Sequence, residues 1–304
     1  GWRKKSSRPH GVERMELSVV IPAHNEEACL RDTLESLHAR LRAEGIEHEL
    51  VVVDDHSTDG TAKVLEDLEE SIPTLVRCDN DGPGGFGLAV RLGLATATGD
   101  ALAVYMADGS DTPEDLVRFH RTMGERQVDC VFGTRFGPES TVEDYPRLKL
   151  ILNRLANTFI RILFGISYND TTNAFKLYSR RAYEGVQPIL SHHFNLTVEL
   201  PLKAIIRGYS YAVLPNDWLN RTSGESKLRI KEMGSRYLFI ILYCLIEKWL
   251  SRGDYLRKDP TAPPVHPLHD AERLRGAGRA DGVVETVEGD DAGTDTRTAD
   301  IPAG

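Results

Sequence analysis

Short apolar runs alternate with longer stretches of helical periodicity through the first 135 positions. The runs fall at Leu17–Ile21, Leu50–Val53, Thr74–Arg77, Ala101–Tyr105 and Cys130–Thr134. Each is too short for a helix and several are β-branched, so each predicts a buried strand. Between them, Ala28–Glu44, Thr61–Glu70, Gly87–Ala97 and Pro113–Arg126 carry helical patterns. Pro113 opens its helix well, with Asp111 and Thr112 before it and Glu114 and Asp115 in the first turn. Strictly alternating strand and helix predict an α/β fold, Rossmann-like, with a mostly parallel central sheet flanked by helices. The first run stops at Pro22, with Asn25 and Glu26 just beyond. The second stops at Asp54, Asp55, His56, Ser57, Thr58 and Asp59. Polar residues therefore collect at the carboxyl edge of the sheet, where open α/β folds bind ligands. Taken singly, each stop is an ordinary strand-to-helix turn.

Beyond Arg135 the pattern turns helical at Arg147–Phe164, followed by short strands around Phe175–Tyr178 and Tyr211–Leu214. No internal repeat is present. Tyr237–Leu250 is a strongly apolar run with basic residues on both sides, among them Lys231 and Arg236 before it and Arg252, Arg257 and Lys258 after. Spanning a bilayer takes about 20 apolar residues, so this run is too short to cross one. A helix lying on a membrane, a helix docking a partner and a buried core helix all fit it. The expected organisation is a disordered basic leader over 1–15 and a folded α/β domain over 16–230. An amphipathic, membrane-associating segment over 231–258 and a disordered acidic tail over 259–304 complete it.

Composition narrows the function. The chain of 304 residues is long enough for a sizeable core, and 40% hydrophobic content is globular. A net charge of −9 argues against a nucleic-acid partner. From Pro260 onward nine acidic residues face four basic ones, with almost no aromatic residue, which is a solvated composition. The four cysteines, Cys29, Cys78, Cys130 and Cys244, are widely spaced and none pairs at metal-ligand spacing. They read as reduced core thiols. Trp2–Arg14 has no apolar core and is not a secretory signal. The expected location is cytoplasmic, peripheral at the cytoplasmic face of the membrane.

One ordered series of residues says more than any of these. Val19, Val20, Ile21, Pro22, Ala23, His24, Asn25, Glu26 and Glu27, followed by Val53, Asp54, Asp55, His56, Ser57, Thr58, Asp59, Gly60 and Thr61, resemble the opening of family 2 glycosyltransferases. Within that family they resemble the branch of dolichol-phosphate mannose synthase and bacterial polyprenyl-phosphate glycosyltransferases. The resemblance implies a GT-A type fold and a nucleotide-sugar site drawing on Pro22, His24, Glu26, Asp54, Asp55, Ala107 and Asp108. Gly85 and Gly87 match the family's glycine-rich loop, where missing side chains would let backbone approach a ligand. Family members usually carry Asp-x-Asp after the fourth strand; here Met106 replaces the first aspartate and Asp108 matches the second. By resemblance Asp108 and Ser110 hold Mg²⁺ or Mn²⁺. Met106 cannot contribute, since these ions prefer oxygen ligands.

Further matches are Phe132 to Arg135, Lys149 with Asn153, Ala156 and Asn157, Asp170 to Lys176, Phe194 with Val198 and Glu199, and Arg221 with Ser223, Gly224, Ser226 and Lys227. By resemblance Arg135, Lys149, Asn153, Arg221 and Lys227 bind an acceptor phosphate, with Asp108, Arg135 and Arg221 catalytic. The implied reaction moves a sugar from GDP-mannose or a UDP-sugar to a polyprenyl phosphate, at a membrane surface and with a membrane-embedded partner protein available for anchoring. Two alternatives stay open at this level. A saccharide or other hydroxyl acceptor would need a general base, for which Asp170 and Glu199 are candidates. Met106 is the best support for the other, a non-catalytic nucleotide-sugar-binding scaffold.

Overall fold

The computed structural model describes residues 16–137, 140, 147–218 and 230–257. Seven strands form one sheet: β1 (Leu17–Ala23), β2 (His48–Asp54), β3 (Leu75–Asp79), β4 (Ala101–Val104), β5 (Cys130–Thr134), β6 (Lys176–Ser179) and β7 (Tyr211–Pro215). Their order is β3-β2-β1-β4-β6-β5-β7. All pairings are parallel except those of β6, which runs antiparallel to both β4 and β5. The expectation of a mostly parallel sheet holds, with one reversed strand in its interior. Helices α1 (Leu30–Ala43), α2 (Thr61–Glu69), α3 (Phe86–Thr96), α4 (Pro113–Arg126), α5 (Arg147–Phe164), α6 (Arg180–Gly185), α7 (Leu196–Ile206) and α8 (Ile230–Leu250) complete the architecture.

Alternate strand residues face opposite sides and each side has its own core. Leu17, Val19 and Ile21 of β1 pack with Leu34 and Leu37 of α1 and with Leu116 and Phe119 of α4. Val20, in the same strand, joins Val51, Val104 and Phe132 against α3 and α7. A third cluster lies outside this second layer, where Ile160 and Phe164 of α5, Val198 and Leu202 of α7, and Ile240, Ile241 and Cys244 of α8 meet. Thus α8 is docked along one side on α5 and α7. Its Glu247 is bound by Arg207 through Nε–H and an Nη2–H at 2.7 and 2.8 Å. The turn beyond α8 is held by Arg257, which donates to Asp129 at 2.7 Å.

Pro22 shows how the sheet places its polar edge. The last β1–β4 pair is Val20 with Val104, so the N–H that proline lacks falls beyond the ladder on that side. Helix α7 carries the opposite puzzle, Pro201 in its interior. Proline cannot donate to the carbonyl four residues back. That carbonyl, on Thr197, accepts instead from the buried Lys176 ammonium at 3.2 Å.

All four cysteines are free thiols. Cys130 and Cys244 are buried, whereas Cys29 and Cys78 are only half-buried, so the core-thiol expectation holds for two. Among the described residues no helix is long and apolar enough to cross a membrane.

Candidate active site

The carboxyl edges of β1 and β2 are laced together by their loops. Asn25 adopts φ +55° and its side-chain oxygen accepts from the Thr58 amide at 2.7 Å. The Glu26 amide donates to Thr61 Oγ1 at 2.9 Å. His24 Nδ1 lies 2.6 Å from the Asp55 carbonyl oxygen, and since a carbonyl only accepts, Nδ1 carries the proton. Pro22, His24 and Glu26 are half-buried at this edge, and Asp54 and Asp55 are nearly buried beside them. Asp54 accepts from the Ser57 amide at 3.0 Å.

Asp55 organises the neighbouring loop: its two oxygens accept from Asn80 Nδ2 at 2.7 Å and from the Gly85 amide at 2.8 Å. Gly85 sits at φ +153°, and a Cβ there would lie 2.5 Å from the His192 carbonyl oxygen. At Gly87 a Cβ would lie 2.7 Å from the Ser191 carbonyl oxygen. At both glycines the space a Cβ would need is taken by the backbone of residues 191–193, with Phe86 stacked on Phe194 at 4.2 Å between ring centres. A cavity of about 370 Å³ opens nearby, lined by Leu190, His192, His193, Asn195, Arg236 and Phe239 among others.

The loop after β4 curls tightly. The Tyr105 hydroxyl donates to the Asp111 carbonyl at 2.6 Å, and Thr33 donates to the buried Ala107 carbonyl at 3.1 Å. Asp108 accepts from the Ser110 amide at 3.1 Å. The carboxylate of Asp111 accepts from the amide of Met106 at 3.1 Å. A carboxylate thus stands beside the position where Met106 interrupts the aspartate pair. Burial, and then the nearby charge of Asp108, push Asp111 up to about 7. Two nearly buried carboxylates that repel one another in the loop at the carboxyl end of β4 could hold a divalent cation. Sequence reading assigned Asp111 only to a helix start; the aspartate five residues after Met106 was the available signal. Among the described residues no group of three acidic, histidine or cysteine side chains forms a metal cluster, so diphosphate oxygens and water would supply the remaining ligands.

Just past the end of β5, Arg135 is held by the fully buried Asp170. Its Nε–H and an Nη2–H donate to the two carboxylate oxygens at 2.9 and 2.8 Å, and its own amide donates at 2.9 Å. Thr171 and Thr172 in that loop are tied to Asn157 of α5 at 2.7 and 3.1 Å. Asn153 sits one turn earlier, its carbonyl accepting from Asn157 Nδ2 at 2.9 Å. Lys149 lies in the first turn of α5, with its side chain outside the described residues. Arg221 and Lys227, with Ser223, Gly224 and Ser226, also lie outside them.

The Glycosyl transferase family 2 model matches residues 18–186. A relative from Mycolicibacterium smegmatis, named polyprenol monophosphomannose synthase, is 30% identical over 216 residues, covering 69% of this chain and 80% of its own. The chain belongs to glycosyl transferase family 2. It is a glycosyltransferase. An undecaprenyl-phosphate mannosyltransferase from Micrococcus luteus is 28% identical across 77% of this chain and 96% of its own. Among solved structures, glucosyl-3-phosphoglycerate synthase from Mycobacterium tuberculosis, in complex with Mn²⁺, UDP and glucosyl-3-phosphoglycerate, superposes with a TM-score of 0.57. That pair is 17% identical over 82% of this chain and 86% of the other, a likeness of the GT-A type fold.

Lys176 of this family 2 site is wholly buried and donates to the carbonyls of Thr171, Asn173 and Thr197. Burial lowers its pKa to about 7, against the raising influence of Asp170. The folded state then binds fewer protons than the unfolded state between pH 7 and the ordinary value of 10.5. The contribution of Lys176 to stability therefore rises with pH across that window. Urea midpoints at pH 7 and 9 should show this rise, and Lys176→Met should flatten it; an equal slope in the variant would assign the rise to other groups.

Proposed function

We propose that the enzyme transfers a sugar from GDP-mannose or a UDP-sugar to a polyprenyl phosphate at the cytoplasmic face of a membrane, with inversion at the anomeric carbon. One observation carries the choice of acceptor. The two carboxylates that the sequence offers as base for a hydroxyl acceptor, Asp170 and Glu199, are both fully buried and engaged. Asp170 is taken by Arg135, and Glu199 by Lys203 and the amides of Leu190 and Ser191. A phosphomonoester is ionised near neutral pH, its second pKa being about 6, and needs no base. The names of the two polyprenyl-phosphate relatives support the same acceptor.

In this reading the acceptor phosphate oxygen attacks the anomeric carbon as the bond to the nucleotide diphosphate breaks. Pro22, His24, Glu26 and Asp54 form the nucleotide edge, Asp55 with Gly85 and Gly87 shaping its floor. Asp108, Ser110 and Asp111 would hold Mg²⁺ or Mn²⁺, which supplies positive charge for the departing diphosphate. Arg135, Lys149, Asn153, Arg221 and Lys227 gather the acceptor phosphate, the Arg221 guanidinium offering paired N–H donors.

The test is a transfer assay with detergent-solubilised polyprenyl phosphate and labelled GDP- and UDP-sugars, with Mg²⁺ or Mn²⁺ against EDTA. A butanol-extractable sugar-lipid from one donor, lost with EDTA, is expected. Arg221→Ala should lower turnover by about 10²-fold or more while nucleotide affinity changes little. Nucleotide binding without product from any donor would favour a hydroxyl acceptor or a scaffold.

A further inference from the structure

Phe194, Val198 and Glu199 match the family, yet none of them has a part in the transfer chemistry. Val198 packs in the third core cluster. Glu199 is wholly buried in α7 and turns its charge toward backbone. Its two oxygens accept from the amides of Leu190 and Ser191 at 2.8 and 2.7 Å, and Lys203, one turn on, pairs with it at 2.6 Å. Bonds from two successive amides to one carboxylate are charge-assisted and fix the course of the chain there. Glu199 thus clamps the base of a short strap, residues 190–194, that leads into α7.

The strap lies across the start of α3. The His192 carbonyl accepts from the Leu88 amide at 3.2 Å. Backbone of residues 191–193 fills the space that a Cβ on Gly85 or Gly87 would need. The Phe194 ring stacks on Phe86, the two planes within 11° of parallel. From the other side, the Tyr237 hydroxyl of α8 donates to the Phe194 carbonyl at 3.2 Å. Both phenylalanines are only half-buried, so truncating one opens no closed cavity in the core.

What the strap holds in place is the amide of Gly85. That N–H donates to one oxygen of Asp55 at 2.8 Å, while Asn80 Nδ2 donates to the other at 2.7 Å. A glycine loop free to drift would release Asp55, a nearly buried carboxylate at the nucleotide edge. We infer that residues 190–194 form a strap that positions the glycine loop and Asp55 for the donor nucleotide, with Phe194 as its contact and Glu199 as its anchor. Both are positioning residues and act through Gly85 and Asp55. Glu199, which the sequence offered as a base, is then a clamp. The inference rests on the donor edge of the proposed function and not on its acceptor.

The experiment measures UDP and GDP binding with Mn²⁺ by calorimetry, in the full chain and in Phe194→Ala and Phe194→Tyr. Phe194→Ala should bind the favoured nucleotide about tenfold more weakly, as when the competent loop falls to about a tenth of the population. Its donor KM should rise by the same factor with kcat nearly unchanged. Phe194→Tyr keeps a ring against Phe86 and should bind as the wild type does. The melting temperature of Phe194→Ala should fall by no more than about 4 °C. Should that variant not fold, Phe194→Leu, which keeps bulk and loses the stack, reads the same quantity. Unchanged affinity on loss of the ring, or a loss of affinity that Phe194→Tyr shares, would overturn the strap. A loss that only tracks a large fall in melting temperature would make Phe194 structural and overturn it too. A wild type that binds neither nucleotide would overturn the donor edge itself, and the role of the strap with it.

Discussion

Asp108→Asn is expected to lower sugar transfer by about 10³-fold or more and to abolish the effect of Mn²⁺ on UDP and GDP binding. The substitution is nearly isosteric and leaves an oxygen to accept from the Ser110 amide, the contact that shapes the loop. Melting temperature should therefore hold while cation-dependent affinity, read by calorimetry, is lost. Asp111→Asn is the necessary companion. Its carboxylate also accepts from the Met106 amide, and if it replaces the missing aspartate its loss should weaken cation-dependent binding too. Should Asp108→Asn retain full Mn²⁺ dependence, the cation site assigned to this loop would be wrong.

Asp170→Asn should have the largest effect on stability, about 3–5 kcal/mol, because it removes one partner of a buried pair and leaves Arg135 uncompensated. Urea denaturation would measure it. Transfer should fall as well, since the same carboxylate sets the direction of the Arg135 guanidinium and receives the Arg135 amide. The double variant Arg135→Met/Asp170→Leu separates the two roles: it should regain much of the stability and none of the transfer. Recovery of transfer by that variant would show that Arg135 is not needed for the reaction.

Strands β1, β2, β4 and β5 were legible because each is a short apolar run ended by polar residues, and burial on both faces leaves little else for such runs to be; β3, half-buried at the sheet edge, was legible from its place in the strand–helix alternation. The position of β6 was legible from Phe175–Tyr178, but its direction was not. Reversal depends on where α5 delivers the chain, and no residue within Lys176–Ser179 encodes that. Helix α7 was missed for a physical reason: Leu196–Ala204 is buried all round, so no amphipathic stripe exists, and Pro201 argues against a helix. The distant Lys176 supplies the Thr197 carbonyl with the donor that the proline lacks.

In the site, Asp54, Asp108 and Arg135 could be picked out by position and type. The partners that decide what they do could not. Asp55 and Gly85 are thirty residues apart yet joined by one hydrogen bond. The two glycines meet backbone near His192, a contact that only the folded chain creates. Tyr237–Leu250 left three readings open, and its two sides explain why: Ile240, Ile241 and Cys244 are buried while Leu242, Ile246 and Trp249 are not.

The reversed strand also dictates an order of assembly. β5 has no hydrogen-bonded neighbour among the strands made before it, since β6 lies between it and β4. A chain emerging from the ribosome can join β1, β2, β3 and β4 as soon as they exist, but β5 must wait until Lys176–Ser179 has been synthesised. Through that interval the outer edge of β4 stays open, an invitation to pairing with another nascent chain. Fragments that stop short of β6 should consequently aggregate, whereas those that include it can close the sheet around its centre.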